Sequence, residues 1–420
     1  MSTLLIEGGR RLSGRITVEG NKNAALPLMA ACLLTEEPCT LDNVPRISDV
    51  GAMADLLIGL GAEVSGLGTS RLRITCRTVT GDTPDPRLVG RLRGSVLLMG
   101  PLLARRGCVR LAPPGGDFPT RRTIATHVQA LEALGARVLT ESGYELEAPD
   151  GLRGASFYLD EASVTGTETA LLAAAAAEGT SEIRHAATEP HVVELCEFLR
   201  KMGVGVEGAG TSTIRVHGRP RRSGASHRLN GDYIEAGSWA VVAAITGGDI
   251  RIDGVRAVDM EPITSVLSRM NLRCTLSDDG CVVEESRLRA TRAITTGLWP
   301  GFPSDMVSLV TVLATQAEGQ TLIHDWMYEL RLFALDQLSG MRADLFLCDP
   351  HRIVVSGPSK LRGRALDSRD LRSGMALIAA GLAAEGQSTV SPLETVERGY
   401  ADVVGRLQSL GAHVGVDGRG

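Results

Sequence analysis

The sequence predicts an α/β protein of two domains, in which six apolar helices lie inside and strands surround them. Three observations support this prediction: the length of the chain, a recurring turn motif and a recurring apolar helix. A chain of 420 residues is too long for one ordinary core, so two domains of about 200 residues each are expected.

A short string at the junction between a helix end and a strand occurs six times. The copies are "LGAEV", "LGARV", "MGVGV", "MNLRC", "MRADL" and "LGAHV", beginning at residues 60, 134, 202, 270, 341 and 410. Upstream of each copy a second landmark ends another helix, and glycine in five of these six landmarks predicts a left-handed cap. Because the period is about 70 residues, one unit of helix, strand, helix and strand fills the chain six times.

The first helix of each repeat is apolar nearly all round. These helices are predicted within 24–34, 95–104, 169–177, 238–245, 306–315 and 374–384. A helix without a polar face must be enclosed by other elements, whereas the second helix, as in 121–135, alternates polar and apolar residues and can bury only one face. The sequence contains no G-x-G-x-x-G after a strand and no G-x-x-x-x-G-K-[ST], so neither a Rossmann nor a P-loop site is predicted.

Composition excludes several classes of function. A net charge of -5 and an aromatic content of 3% argue against nucleic-acid binding. Eight dispersed cysteines without a C-x-x-C pair predict free thiols in the cytoplasm, and no His, Cys or carboxylate cluster has metal-ligand spacing. The longest apolar run, 169–177, is far shorter than the roughly 20 residues of a membrane span.

Charged residues recur at equivalent places in the repeats. Three loops between the first strand and the second helix carry an arginine: Arg122, Arg331 and Arg398. Further polar or charged groups stand where the apolar helices begin: Lys22, Asn23, Arg93, Asp305 and Arg372. Such a set suits a small substrate with more than one anionic group, because arginine binds carboxylate and phosphate and a helix N-terminus favours anions. Repeated surface salt bridges, with Asp305 as a plain N-cap, are the alternative.

Longer motifs resemble a known family. "GNKNAALPLMAACLLTEEPCTLDNVPRISDV", "PGGDFPTRR", "GFPSDM", "DLRSGMAL" and "ERGY" stand in the order and at the spacing found in the UDP-N-acetylglucosamine enolpyruvyl transferases. The resemblance covers essentially the whole chain. It implies an inside-out α/β barrel of the enolpyruvyl transferase type, with three repeats per domain: 22–230 as the N-terminal domain, and 1–21 with 231–420 as the C-terminal domain.

The resemblance also implies the reaction and its residues. The enolpyruvyl group of phosphoenolpyruvate would pass to the 3-hydroxyl of UDP-N-acetylglucosamine, with release of phosphate and without a metal or organic cofactor, in the cytoplasm. The anions of phosphoenolpyruvate would be held by Lys22, Arg93, Arg122, Arg331, Arg372 and Arg398. Asp305 would be the general base at the sugar hydroxyl. The nucleotide-sugar pocket would be lined by Asn23, Ser163, Val164 and Met327, and Glu189 would be an acid near the same site.

The sequence departs from the family at four positions. Asp117 stands where a cysteine is usual, so we expect it to act as the general acid and to make the enzyme insensitive to fosfomycin, an epoxide that alkylates that cysteine. On the acceptor side, Ala125 replaces a usual aspartate, Tyr233 a usual arginine and Leu330 a usual asparagine. These losses leave a second hypothesis open, an enolpyruvyl transferase with another nucleotide acceptor, such as UMP in nucleoside antibiotic synthesis. A third is a catalytically silent homologue that binds a nucleotide sugar. The oligomeric state is not predicted.

Overall fold

The computed structural model describes residues 2–115, 123–142, 144–219, 221–328 and 331–418, without the side chain of Phe333. The chain forms two compact units. One unit is Gly20–Asn230, and the other combines Met1–Glu19 with Gly231–Gly420.

Helices are interspersed with single strands and runs of two or three strands along the described parts of the chain. The strands are β1 (Thr3–Glu7), β2 (Ser13–Thr17), β3 (Cys39–Asp42), β4 (Glu63–Ser65), β5 (Arg71–Thr75), β6 (Cys108–Arg110), β7 (Arg137–Val138), β8 (Glu145–Glu147), β9 (Ser156–Tyr158), β10 (Thr180–Arg184), β11 (Gly205–Glu207), β12 (Thr213–His217), β13 (Ser226–Arg228), β14 (Asp249–Asp253), β15 (Arg273–Ser277), β16 (Gly280–Glu284), β17 (Ala293–Thr295), β18 (Gly319–His324), β19 (Asp344–Asp349), β20 (Arg352–Gly357), β21 (Ala365–Asp367), β22 (Gln387–Ser391) and β23 (His413–Asp417). The helices are α1 (Lys22–Ala31), α2 (Ser48–Gly59), α3 (Pro86–Val89), α4 (Met99–Arg106), α5 (Ala125–Ala133), α6 (Val164–Ala174), α7 (Pro190–Lys201), α8 (Tyr233–Ile245), α9 (Ala257–Arg269), α10 (Val307–Thr315), α11 (Gln337–Gly340), α12 (Leu371–Ala383), α13 (Leu393–Val396) and α14 (Val403–Ser409). Short 3-10 helices cover Cys32–Leu34, Arg93–Leu98, Ser304–Met306 and Arg331–Asp336.

The strands of the described residues form six sheets, three in each unit. Unit Gly20–Asn230 holds the sheets β13-β3-β5-β4, β6-β8-β7 and β11-β12-β10-β9, and the other unit holds β15-β16-β14-β2, β17-β18-β20-β19 and β21-β22-β1-β23. Each four-stranded sheet has one parallel pair, at one edge, followed by two antiparallel pairs. The three-stranded sheet has the two antiparallel pairs alone. One pairing scheme therefore recurs in both units.

The apolar helices are enclosed, as their sequence predicts. All of α10 is buried, and in α8 and α12 only the last residue is not. By contrast, α7 and α9 bury one face and expose the other. One predicted boundary is wrong: the second helix expected over 121–135 begins at Ala125, since Thr123 and Ile124 are not helical and the first two residues lie outside the described ranges.

Left-handed residues occur at the predicted turns. The five glycines of the upstream landmarks all have positive φ: Gly107, Gly179, Gly247, Gly319 and Gly386. The second residue of each five-letter junction string is also left-handed, and these residues are Gly61, Gly135, Gly203, Asn271, Arg342 and Gly411. Asn271 and Arg342 show that the same turn forms without glycine, although arginine has a Cβ that disfavours this conformation.

Two glycines stand where the chain passes from one unit to the other. A Cβ at Gly20 would collide with the carbonyl oxygen of Asn43, and a Cβ at Gly231 would collide with that of Gly254. Both positions therefore require glycine for close backbone packing within their own units.

Candidate active site

The 3-10 turn in front of α10 presents a carboxylate held by two arginines. Arg331 Nη1 lies 3.2 Å from Asp305 Oδ1, while Arg372 Nη2 lies 3.0 Å from Oδ2. The N-cap of α10 is Met306, so Asp305 does not cap that helix. Burial is the largest single effect and lowers the pKa of both guanidinium groups, but Asp305 and the other acidic groups nearby together outweigh burial and leave each pKa raised. Both arginines are therefore charged, and together they favour the ionised form of the carboxylate.

Tyr400 is a further contact of the second arginine. Its hydroxyl accepts a hydrogen bond from Arg372 Nη1 at 3.2 Å and lies 2.8 Å from the hydroxyl of Ser238. Tyr400 is fully buried, and burial raises the pKa of its hydroxyl, which therefore stays protonated. The phenol fixes the guanidinium in one orientation towards Asp305.

The first arginine rests on an aromatic ring and a hydroxyl. The guanidinium of Arg331 lies 4.5 Å from the ring centroid of Tyr328, and its Nη1 donates to Ser304 Oγ at 2.9 Å. A cation over an aromatic face is attracted to the ring electrons. The side chain of Arg331 is 12% exposed, so little water competes for these contacts.

In the other unit, the first residue of α1 forms a buried ion pair. Lys22 Nζ lies 2.6 Å from Asp49 Oδ2 in the first turn of α2. Asn23 follows Lys22, and its main-chain N–H donates to the side chain of the N-cap residue, Asn21, at 2.7 Å. The sequence does not indicate Asp49 as the partner of Lys22, because their separation along the chain matches no helix or strand period.

Arg93 begins a 3-10 helix and contacts the residue that follows, in sequence, the loop predicted to carry the acid. Its Nη2 donates to the carbonyl of Thr123 at 2.9 Å, and Thr123 is the first described residue after that loop. Asp117 and Arg122 themselves lie outside the described residues. The structure thus places Arg93 against the main chain of Thr123.

Two predicted pocket residues open α6 in the same unit. Ser163 is the N-cap, and its Oγ accepts the N–H of Gly166 at 3.2 Å; Val164 is the first helical residue. One residue further on, the hydroxyl of Thr165 lies 2.9 Å from His127 Nε2 on α5. The N-terminal turns of α5 and α6 therefore meet at this point.

The remaining predicted residues are less closely grouped. Met327 follows β18, and its N–H donates to Asp325 Oδ1 at 3.3 Å. Arg398 is half-buried in the turn after α13. Direct contacts join three of the predicted site residues, Asp305, Arg331 and Arg372. Tyr400, the last residue of the "ERGY" motif, also contacts Arg372, and the sequence did not predict a role for it.

Two of the residues that replace the family's usual polar residues on the acceptor side begin helices in this structure. Ala125 is the first residue of α5, and Tyr233 is the first residue of α8, where its ring packs 5.3 Å from that of Trp299. Asp232 is the N-cap of α8, accepting the N–H groups of Ile234 and Glu235. Leu330 lies outside the described residues.

Three further features concern metal-ligand groups, cysteines and membrane-spanning helices. Within the described ranges, no three His, Cys, Asp or Glu side chains are grouped as a metal site would need. All eight cysteines are free, as predicted. Over the same ranges, the helices are too short or too polar to cross a membrane.

Comparison with known proteins places this chain in a family. The family described as EPSP synthase (3-phosphoshikimate 1-carboxyvinyltransferase) matches residues 6–407. A UDP-N-acetylglucosamine 1-carboxyvinyltransferase from Bradyrhizobium diazoefficiens is 43% identical over 98% of this chain and 97% of its own length. One from Treponema denticola is 41% identical over 99% of both chains.

A solved structure extends the likeness to the fold. The enolpyruvyl transferase NikO from Streptomyces tendae superposes with a TM-score of 0.89 and 26% identity, covering 99% of this chain and 98% of that chain. The predicted inside-out α/β fold is confirmed by this match. The chain belongs to the UDP-N-acetylglucosamine 1-carboxyvinyltransferase family, within the wider EPSP synthase family.

Proposed function

We infer that this protein transfers the enolpyruvyl group of phosphoenolpyruvate to the 3-hydroxyl of UDP-N-acetylglucosamine and releases phosphate. The carrying observation is the identity of 43% to a relative of that activity, which extends over 98% of the chain. In the cell this reaction is the first committed step of peptidoglycan precursor synthesis. Its two substrates are cytoplasmic metabolites, so we place the enzyme in the cytoplasm.

Addition is the first half of the proposed mechanism. Asp305 takes the proton from the attacking hydroxyl, and the oxygen forms a bond to the central carbon of phosphoenolpyruvate. A general acid, which we assign to Asp117, delivers a proton to the methylene carbon. General acid and base catalysis on opposite sides of the double bond is the usual way to make such an addition feasible. The contacts of Asp305 with Arg331 and Arg372 support its role, since a base must be ionised.

Elimination completes the transfer. The methyl carbon of the tetrahedral intermediate returns a proton to the Asp117 carboxylate that the addition left, the electron pair of that C–H bond forms the double bond of the enol ether, and the bond to the phosphate oxygen breaks to release phosphate. The intermediate carries phosphate and carboxylate throughout, so fixed cations stabilise it. We assign this task to six basic residues: Lys22, Arg93, Arg122, Arg331, Arg372 and Arg398. A guanidinium has five N–H donors, so Arg331 and Arg372 can hold Asp305 and a substrate anion together.

We assign the binding of the acceptor to four residues. These residues are Asn23, Ser163, Val164 and Met327. The N-cap position of Ser163 supports this assignment, because main-chain N–H groups at a helix start attract a phosphate.

A second candidate acceptor follows from Ala125 and Tyr233. The family's polar groups are missing at both positions, and Tyr233 is buried against Trp299 instead. A smaller uridine nucleotide such as UMP would need fewer polar contacts than a nucleotide sugar.

A phosphate-release assay tests both candidates. Phosphoenolpyruvate is supplied with UDP-N-acetylglucosamine, other UDP-sugars, UMP or uridine in parallel. We expect release with UDP-N-acetylglucosamine. Phosphate release with UMP alone would show that UMP, and not UDP-N-acetylglucosamine, is the acceptor. No release with any acceptor would favour the hypothesis of a catalytically silent homologue.

A further inference from the structure

A second carboxylate, Asp325, lies behind the turn that carries Asp305. It follows β18 and is fully buried. Its Oδ1 accepts hydrogen bonds from Thr296 Oγ1 at 2.9 Å and from the N–H of Met327 at 3.3 Å. Its Oδ2 accepts the hydroxyl of Ser304 at 2.7 Å. The carboxylate is therefore surrounded by donors and is kept from water.

His351 fixes the main chain at the same residue. The N–H of Asp325 donates to the His351 carbonyl at 2.8 Å, and His351 Nδ1 donates back to the Asp325 carbonyl at 2.7 Å. Hydrogen bonds thus hold both the backbone and the side chain of Asp325, so they fix the position of its carboxylate.

The direction of the hydrogen bonds around Ser304 follows from the donor inventory. A guanidinium has no acceptor, so Ser304 Oγ must accept from Arg331 Nη1, which lies at 2.9 Å. The single hydroxyl proton then goes to Asp325. The same Nη1 donates to Asp305 Oδ1 at 3.2 Å. One chain of hydrogen bonds therefore runs from Asp325 through Ser304 and Arg331 to Asp305.

We propose that Asp325 is a positioning residue for the transfer reaction. Through its hydrogen bond with Ser304 it fixes the position of the Arg331 guanidinium, and thereby the position of the Asp305 carboxylate. The inference rests on the proposed function. Asp325 does not contact the reacting atoms in this proposal. It polarises Ser304 so that the hydroxyl offers a lone pair to Arg331, and without it that hydroxyl is free to rotate.

A double-mutant cycle of Asp325→Asn and Ser304→Ala tests this role. If both residues act through one chain of bonds, each variant lowers kcat on the order of 10-fold or more, because small displacements of a catalytic group cost that much. The double variant should fall no further than the worse single variant, because residues in one network are not additive. Measurements are kcat, both KM values and the melting temperature.

Thr296→Val is the matched control. Thr296 and Ser304 are buried to a similar degree, and each donates one hydroxyl to Asp325. Only Ser304 also contacts Arg331. We expect Thr296→Val to lower the melting temperature, because a hydrogen bond to a buried carboxylate is lost, while leaving kcat within about twofold, because that bond does not lead to Arg331.

The outcomes separate the two levels of inference. A wild-type enzyme without phosphate release contradicts the proposed function. With an active wild type, equal effects of Ser304→Ala and Thr296→Val on kcat, or fully multiplied effects of Asp325→Asn and Ser304→Ala, overturn the positioning role alone. Should Asp325→Asn fail to fold, the comparison of Ser304→Ala with Thr296→Val decides by itself.

Discussion

Arg372 and Asp305 form a direct ion pair, in which Nη2 of the arginine lies 3.0 Å from Oδ2 of the carboxylate. We predict that Asp305→Asn lowers the rate of phosphate release by about 100- to 10,000-fold, because the amide cannot take the proton of the acceptor hydroxyl. The buried guanidinium also loses its anion, so the melting temperature is measured alongside to correct for unfolded protein. Asp249→Asn is the control: this carboxylate pairs with Arg11 at an exposed site. An Asp305→Asn enzyme that keeps a tenth of the rate would exclude Asp305 as the base.

The buried pair of Lys22 and Asp49 makes a prediction about stability. Their side chains are 11% and 6% exposed. Asp49→Asn leaves a buried ammonium without its carboxylate, which costs about 3 to 5 kcal/mol in comparable pairs. In a domain of this size that loss lowers the melting temperature by roughly 6 °C or more. Differential scanning calorimetry measures it.

A less buried pair provides the comparison. Arg71 and Asp42 are joined at 3.4 Å, and the arginine side chain is 72% exposed. Asp42→Asn is expected to change stability by less than about 1 kcal/mol. If Asp49→Asn and Asp42→Asn lower the free energy of unfolding equally, the buried ammonium of Lys22 does not need the Asp49 carboxylate for stability.

Local sequence patterns predicted much of this structure. Apolar segments marked α8, α10 and α12 as enclosed helices, and all three are buried. Glycine marked the left-handed turns, but Arg342 adopts the same conformation without any sequence signal. The repeat of about 70 residues stays a prediction, which the recurring strand pairing in six sheets supports.

Partners distant in sequence could not be predicted in the same way. Arg331 and Arg372 were predicted as anion-binding groups, yet both contact Asp305, which is 67 residues from Arg372 along the chain. Asp49 and Tyr400 have no periodic relation to the groups they hold. Hydrogen bonds of this kind depend on how packed helices place side chains in three dimensions, and a single sequence contains no direct record of that.

The residue at position 117 predicts resistance to fosfomycin. A thiolate opens an epoxide readily, whereas a carboxylate is a much weaker nucleophile. We therefore expect turnover to continue with the drug present and no mass increase on the peptide that spans residues 113–122. Asp117→Cys should gain both inhibition and the mass increase. Cys348, which is exposed, serves as the internal control for nonspecific alkylation. A mass increase on the 113–122 peptide of the wild type would refute the prediction.

His127 predicts a loss of stability in acid. Burial, aided by the positive charge of Arg93, lowers the pKa of His127 to about 3. The unfolded chain has an ordinary value near 6.5, so between these values the native state binds fewer protons. Its contribution to stability is complete above pH 6.5 and is lost as the pH falls, by up to about 1.4 kcal/mol per pH unit. Urea unfolding of His127→Gln should show a flatter decline from pH 6.5 to 4.5. His413→Gln removes an exposed histidine that pairs with Glu7 and is measured in parallel for comparison.

Glu168 predicts the opposite dependence. Burial, and next the charge of Glu189, raise the pKa of Glu168 well above its usual value. Within the described residues its Oε1 has no hydrogen-bond partner, and the side chain is 1% exposed. The native state therefore binds more protons than the unfolded chain above about pH 4.5, so this contribution to stability is present below that pH and is lost as the pH rises.

Glu168→Gln tests this sign directly. The amide resembles the protonated acid, so the variant should be more stable than the wild type at pH 8 and equal to it near pH 4. Glu182→Gln is the control, because its half-buried carboxylate pairs with Arg215, which lowers the pKa of Glu182. That variant should gain nothing at pH 8. If Glu168→Gln is less stable than the wild type at pH 8, the buried carboxylate is ionised and paired in the native state, and the raised pKa is wrong.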